Sequence, residues 1–66
     1  MSREWLNAIR EKHRMTQENV AEKSGISRVY YTRIENGDYN VPVDTAKKIA
    51  EALGFDWTRF YEEETT

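Results

Sequence analysis

The stretch Thr16 to Asn36, TQENVAEKSGISRVYYTRIEN, decides the fold. Its apolar positions are Val20 and Ala21, then Ile26 directly after Gly25, then Tyr31 and Ile34. That spacing describes two short helices, each with one inward face, turned toward a common core. Ala21 is small where two helices should cross closely. Gly25 can take the positive φ that ends the first helix and turns the chain within three residues. Thr16 and Ser27 stand at the two N-cap positions, where a hydroxyl accepts a backbone N–H of the first turn. With the inward set assigned, Ser27, Arg28, Val29, Thr32, Arg33 and Asn36 are left pointing outward on the second helix. A row of hydrogen-bonding groups starting at a helix N-terminus suits the reading of base edges in a DNA major groove.

Outward from this stretch, the periodicity predicts an all-α chain with helices over residues 3–13, 17–24, 28–36, 44–53 and 57–62. The first has Trp5 or Leu6 with Ile9 at helical spacing. The fourth has an apolar stripe of Ala46, Ile49, Ala50 and Leu53, with Lys47, Lys48 and Glu51 outside. Gly37 and Gly54 end the third and fourth helices, and the segment DYNVPV between them, with Pro42 and no helical period, is a connector.

Arg10, TQENVAEKSGIS from Thr16 to Ser27, RIENG from Arg33 to Gly37, Pro42, and AKKIAEALGF from Ala46 to Phe55 form one ordered pattern. In it the chain resembles the XRE, or Cro/C1-type, family typified by the phage lambda and 434 repressors and Cro. The likeness runs from about Trp5 to Tyr61. It implies a lambda repressor-like domain of five short helices, whose second and third make a helix-turn-helix within residues 17–36. It implies a transcriptional regulator, most simply a repressor, whose partner is a double-stranded DNA operator. It further implies an ion pair of Arg10 with Glu35 tying helix 1 to helix 3, and a phosphate contact at Asn36. The ending FDWTRFYEE is unusually aromatic for a fifth helix and is similar to a subset of the family from Gram-positive bacteria and their phages or mobile elements.

The outward residues have individual readings. Arg28 and Arg33 are either solvated helix arginines or bidentate partners of guanine O6 and N7, and the motif favours the second. Val29 is an indifferent surface residue or packs on a thymine methyl; Thr32 completes the base-reading row. Gln17, at the start of helix 2, can meet a DNA phosphate through its side chain and backbone N–H. Ser27 is placed with it as a phosphate contact. Tyr30 lies at the flank of helix 3, on the core rim or against phosphate, and Tyr39 donates to phosphate or is a plain turn residue. Tyr31 must face inward, where its hydroxyl needs a partner. Asp38 stands where relatives often carry basic or short polar groups.

Composition sets the outer bounds. Sixty-six residues make one domain at most, and 38% hydrophobic with 33% charged is ordinary for a globular chain. The chain has no cysteine and one histidine, His13, and nothing resembles a metal cluster, a cofactor site or a nucleophile–base pair, so no enzyme and no cofactor are expected. No apolar run approaches the ~20 residues of a membrane span, and no signal-peptide core is present, which points to the cytoplasm. The net charge is −2, yet residues 1–36 carry seven Lys and Arg against five Glu, and residues 37–66 carry three against seven acidic groups. The half with the outward row is the basic half, and the acidic tail Glu62 to Glu64 should point away from any duplex.

One helix-turn-helix reads too few base pairs for selectivity, so a homodimer on an inverted repeat is expected. Core closure should claim two of Phe55, Trp57, Phe60 and Tyr61. The candidate dimer surface is Trp57, Phe60 and Tyr61, since left-over apolar groups usually serve an interface. No small-molecule effector is evident, so regulation should come from outside these residues or from concentration. The alternative is an antitoxin or adaptor that uses the same fold to bind a protein through the aromatic patch.

Overall fold

The computed structural model describes residues 2–62. Among them lie five helices: α1 (Glu4–Lys12), α2 (Gln17–Ser24), α3 (Arg28–Asn36), α4 (Val43–Leu53) and α5 (Arg59–Glu62). Local chemistry sets the boundaries. The Thr16 hydroxyl accepts from the Asn19 N–H at 3.0 Å while the Thr16 N–H donates back to Asn19 Oδ1 at 3.2 Å, a reciprocal cap at the start of α2. The Ser27 hydroxyl accepts from the Tyr30 N–H at 3.1 Å to start α3. Gly25, at φ 72°, ends α2, and its N–H and that of Ile26 close on carbonyls of the last turn. Open space lies where a side chain at Gly25 would sit, so its backbone angle, not crowding, calls for glycine.

Helix α1 is one residue shorter at each end than the expected 3–13, and the starts of α4 and α5 also differ from the sequence expectation. Helix α4 begins at Val43, directly after Pro42, whose fixed φ of −62° leads the chain into the helix. Helix α5 is reduced to Arg59–Glu62, because the Asp56 carboxylate accepts from both the N–H and the hydroxyl of Thr58 at 3.0 and 2.8 Å and holds a turn there. The end of α1 holds a surprise. Arg14 adopts φ 57°, a left-handed residue that is not glycine.

The core gathers Leu6, Val20, Ala21, Tyr31, Ile34, Val41, Ala46, Ile49, Leu53 and Phe60, with α2 packed between α3 and α4. The aromatic ending divides into two groups. Phe55 and Phe60 close the core against Trp5, with ring centroids 5.4 and 5.1 Å from the Trp5 ring. Phe60 is 1% exposed, so it is corrected from candidate dimer residue to core residue: the short α5 turns it inward, beneath Trp5 and Phe55. Trp57 and Tyr61 form the second group. They meet edge to face at 6.0 Å, half-buried, and the Tyr61 hydroxyl donates to the Val41 carbonyl.

Arg3 is the largest departure from a surface reading. Only 7% exposed, it donates from its guanidinium to the carbonyls of Ile34 at 2.6 Å and Tyr39 at 2.9 Å, and its N–H donates to the Glu35 carbonyl at 2.7 Å. A buried cation thus caps the C-terminal turn of α3, where carbonyls lack helical partners and the helix dipole favours positive charge. Of the acidic tail, Glu63 and Glu64 lie outside the described residues.

Candidate nucleic-acid interface

Helix α3 is amphipathic: Tyr31, Ile34 and Glu35 face inward, and Arg28, Val29, Arg33 and Asn36 are exposed. Arg28, Val29, Thr32, Arg33 and Asn36 line one shallow concavity, joined at its far end by Asp38. Val29 is 66% exposed, an apolar side chain standing among cations and amides. Asp38, where relatives often carry basic or short polar groups, is brought by the turn at Gly37 onto the same face as the outward row. Arg28 also borders a second depression with Arg10, Met15, Thr16, Gln17 and Glu18 at the N-terminus of α2. It therefore stands between the outward row of α3 and the first N–H groups of α2. Those N–H groups and the helix dipole favour an anion such as phosphate.

Glu35 holds these parts together. Arg10 Nε donates to Glu35 Oε2 at 2.6 Å; Gln17 Nε2 and Asn7 Nδ2 donate to Oε1 at 3.1 and 3.3 Å. One carboxylate therefore gathers donors from α1 and from the start of α2 onto α3. Burial works against the charge, but the hydrogen bonds from Arg10, Gln17 and Asn7, with the Tyr31 hydroxyl close by, prevail and hold the carboxyl below its ordinary range. Desolvation, together with the neighbouring Glu35 carboxylate, pushes the ionisation of the buried Tyr31 hydroxyl far upward, against the opposing pull of the Arg10 cation. The hydroxyl's approach to these two groups falls short of good hydrogen-bond geometry, so the partner that this tyrosine requires is only electrostatic.

Gln17 is also the acceptor of the Thr32 hydroxyl at 3.0 Å, so Thr32 is turned partly toward α2. Arg10 completes the corner by donating to the Met15 carbonyl at 2.9 Å, which fixes the loop that leads into α2. Ser27 remains exposed at the head of α3. Tyr30 packs on the core rim and meets the Tyr39 ring at a tilt of 59° with centroids 5.6 Å apart, and Arg3 pins the Tyr39 carbonyl. Arg3 had no local signal in the sequence, because its partners lie 31 and 36 residues away. Among the described residues no group of His, Cys, Asp or Glu is arranged to hold a metal ion, and no helix is long and apolar enough to cross a membrane.

A capped helix, a left-handed glycine turn and a second helix with an exposed polar row define a helix-turn-helix protein of the class that binds DNA to regulate transcription. The helix-turn-helix family pattern matches residues 6–60, and the chain belongs to that family. It is 51% identical over 63 residues to the uncharacterized HTH-type transcriptional regulator YqaF of Bacillus subtilis (strain 168), covering 96% of this chain and 83% of that one. It is 38% identical over 60 residues to the immunity repressor protein of Bacillus phage phi105, covering 91% of this chain but 42% of the repressor. Among solved structures it is similar to a mutant of the restriction-modification controller protein C.Esp1396I, with a TM-score of 0.73 and 29% identity over 88% of this chain and 75% of that one.

Proposed function

We propose that this regulator is a repressor that binds an inverted-repeat operator in double-stranded DNA as a homodimer, with α3 in the major groove. The observation that carries the reading is the concavity of Arg28, Val29, Thr32, Arg33 and Asn36 beside the N-terminus of α2. Arg28 and Arg33 supply donors for guanine, Val29 an apolar contact for a thymine methyl, and Gln17, Ser27 and Asn36 hold phosphates on either side. Tyr30 and Tyr39 form one flank from which a hydroxyl reaches phosphate. The chemistry is binding alone; no catalytic role is assigned to any residue.

The second copy docks on the half-buried pair Trp57 and Tyr61. Lys47 Nζ lies 5.2 Å from the Trp57 ring, and Val43, one turn earlier on α4, is 47% exposed, so the apolar surface continues from α5 onto α4. Selection of bound duplexes from a random DNA pool tests the reading. A two-fold-related consensus is the expected product, and Arg28→Ala should relax preference at one base pair of each half-site at a cost of ~1–3 kcal/mol. Equal binding of Arg28→Ala to operator and scrambled DNA, unchanged from wild type, would sink the assignment.

A further inference from the structure

Gln17 is held at both ends of its amide. Its Nε2 donates to Glu35 Oε1 at 3.1 Å and its Oε1 accepts the Thr32 hydroxyl at 3.0 Å. The contact with Glu35 fixes the sense of the amide, and the contact with Thr32 holds its other end. Turned over, it would set its oxygen against an ionised carboxylate, which only accepts; the Thr32 hydroxyl, free to donate or accept, follows the sense that Glu35 imposes. What remains on Gln17 is one N–H of the amide and the backbone N–H of the first residue of α2, which has no partner within the helix. Both are donors, and both belong to the depression that Arg28 shares.

From this arrangement we infer that Thr32 is a positioning residue: its hydroxyl presets Gln17 for a phosphate and does not read a base. The inference rests on the reading that α3 and the N-terminus of α2 face DNA. Donating the Thr32 hydroxyl to a base edge would break its bond to Gln17 and leave the amide held by Glu35 alone. A glutamine fixed in advance loses little rotamer freedom when the phosphate arrives, and glutamine is among the side chains with most to lose. The contact also spans the two helices of the motif. The phosphate grip on α2 and the base-reading row on α3 are therefore set at one mutual distance before DNA is met.

Four variants test it: Thr32→Val, which keeps the shape and removes the hydroxyl, Thr32→Ser, which restores the donor, Gln17→Ala, and Thr32→Val with Gln17→Ala. Thermal melts first establish that all four are folded. In the free protein, nitrogen-15 relaxation should show the Gln17 side-chain amide ordered in wild type and Thr32→Ser, and mobile in Thr32→Val. Against the selected operator and a scrambled duplex of equal length, Thr32→Val should weaken both by one common factor of about three to ten, the value of a single hydrogen bond. Thr32→Ser should return affinity to within about twofold, and Thr32→Val should add nothing in the Gln17→Ala background. The inference is overturned if Thr32→Val shifts the preferred base at one position, if its loss persists without Gln17, or if the wild-type amide is already mobile. If wild type binds neither duplex, the DNA-binding reading fails by itself, and the amide resonances still decide whether Thr32 fixes Gln17.

Discussion

Arg10 Nε and Glu35 Oε2 meet at 2.6 Å with their side chains only 13% and 5% exposed, so helix α1 is fastened to α3 by a pair withdrawn from water. Such a pair adds little over a well-packed apolar substitute, but removing one member strands the other. Glu35→Ala would leave Arg10, Gln17 and Asn7 without their acceptor, at a cost of about 3–5 kcal/mol. A domain of this size holds only about 3–10 kcal/mol in total. Urea titration at pH 7 should therefore find Glu35→Ala largely or wholly unfolded; a midpoint equal to wild type would show the pair screened by solvent. The same carboxyl predicts an acid limb. Its folded-state ionisation lies below the ordinary value of 4.5, so its contribution is complete above that pH and is lost as pH falls through the folded value. Glu35→Gln should be less stable than wild type at neutral pH, and the gap should narrow steadily below about pH 4.5.

Arg3 makes a second prediction, because its guanidinium donates to the Ile34 and Tyr39 carbonyls. Hydrogen bonds to a charged group are worth about 1.5–3 kcal/mol. Arg3→Met keeps much of the aliphatic stem and removes the donors, together with the guanidinium that lies 5.7 Å from the Phe60 ring centroid. It should lower the melting temperature by about 4–8 °C per kcal/mol lost. Amide exchange should accelerate most at the end of α3 and at Tyr39. Uniform acceleration over all five helices would instead mean that Arg3 acts on global stability alone.

The left-handed Arg14 is a place where the protein can be improved. A non-glycine residue at φ 57° costs roughly 1–2 kcal/mol, while glycine costs about 0.4–1 kcal/mol through the greater freedom of the unfolded chain. The first exceeds the second. Arg14→Gly should stabilise the fold by about 0.5–1 kcal/mol, seen as a higher denaturation midpoint with an unchanged slope. A lower midpoint would mean that the arginine side chain makes a contact of greater value than the strain it bears.

The helix-turn-helix was legible because its signals are local. Thr16, Gly25 and Ser27 each act within four residues of themselves, and the spacing of Val20, Ala21, Tyr31 and Ile34 has one helical solution. What escaped the sequence depends on distant partners. Arg3 looks like any N-terminal cation until the end of α3 arrives beside it. Thr32 fits an outward row by angle, and only the crossing of α2 and α3 brings its hydroxyl to Gln17. Phe60 and Trp57 are three residues apart in an aromatic run. The Asp56 to Thr58 turn decides which goes inward, and it is too irregular for periodicity to describe.

That division of the aromatic run makes Trp57, not Phe60, the residue on which assembly can be tested. Phe60→Glu would place a carboxylate in the core and unfold the chain, which reveals nothing about a dimer. Trp57 is half-buried at the rim, against Tyr61 and beneath Lys47, so Trp57→Glu should cost the monomer much less than a full core disruption. If two copies meet over this surface, the charge would be buried opposite its own symmetry mate, an arrangement that costs several kcal/mol in the dimer. Sedimentation should then find wild type dimeric, or dimeric on its operator, and Trp57→Glu monomeric with near-normal helix content. Operator affinity should fall far more than thermal stability. Half-site centres in the selected DNA should lie about 10–10.5 base pairs apart or a multiple of that, one turn of the duplex for each two-fold-related α3. A wild-type chain that binds one copy per site, on sequences without two-fold symmetry, would exclude this surface and the dimer together.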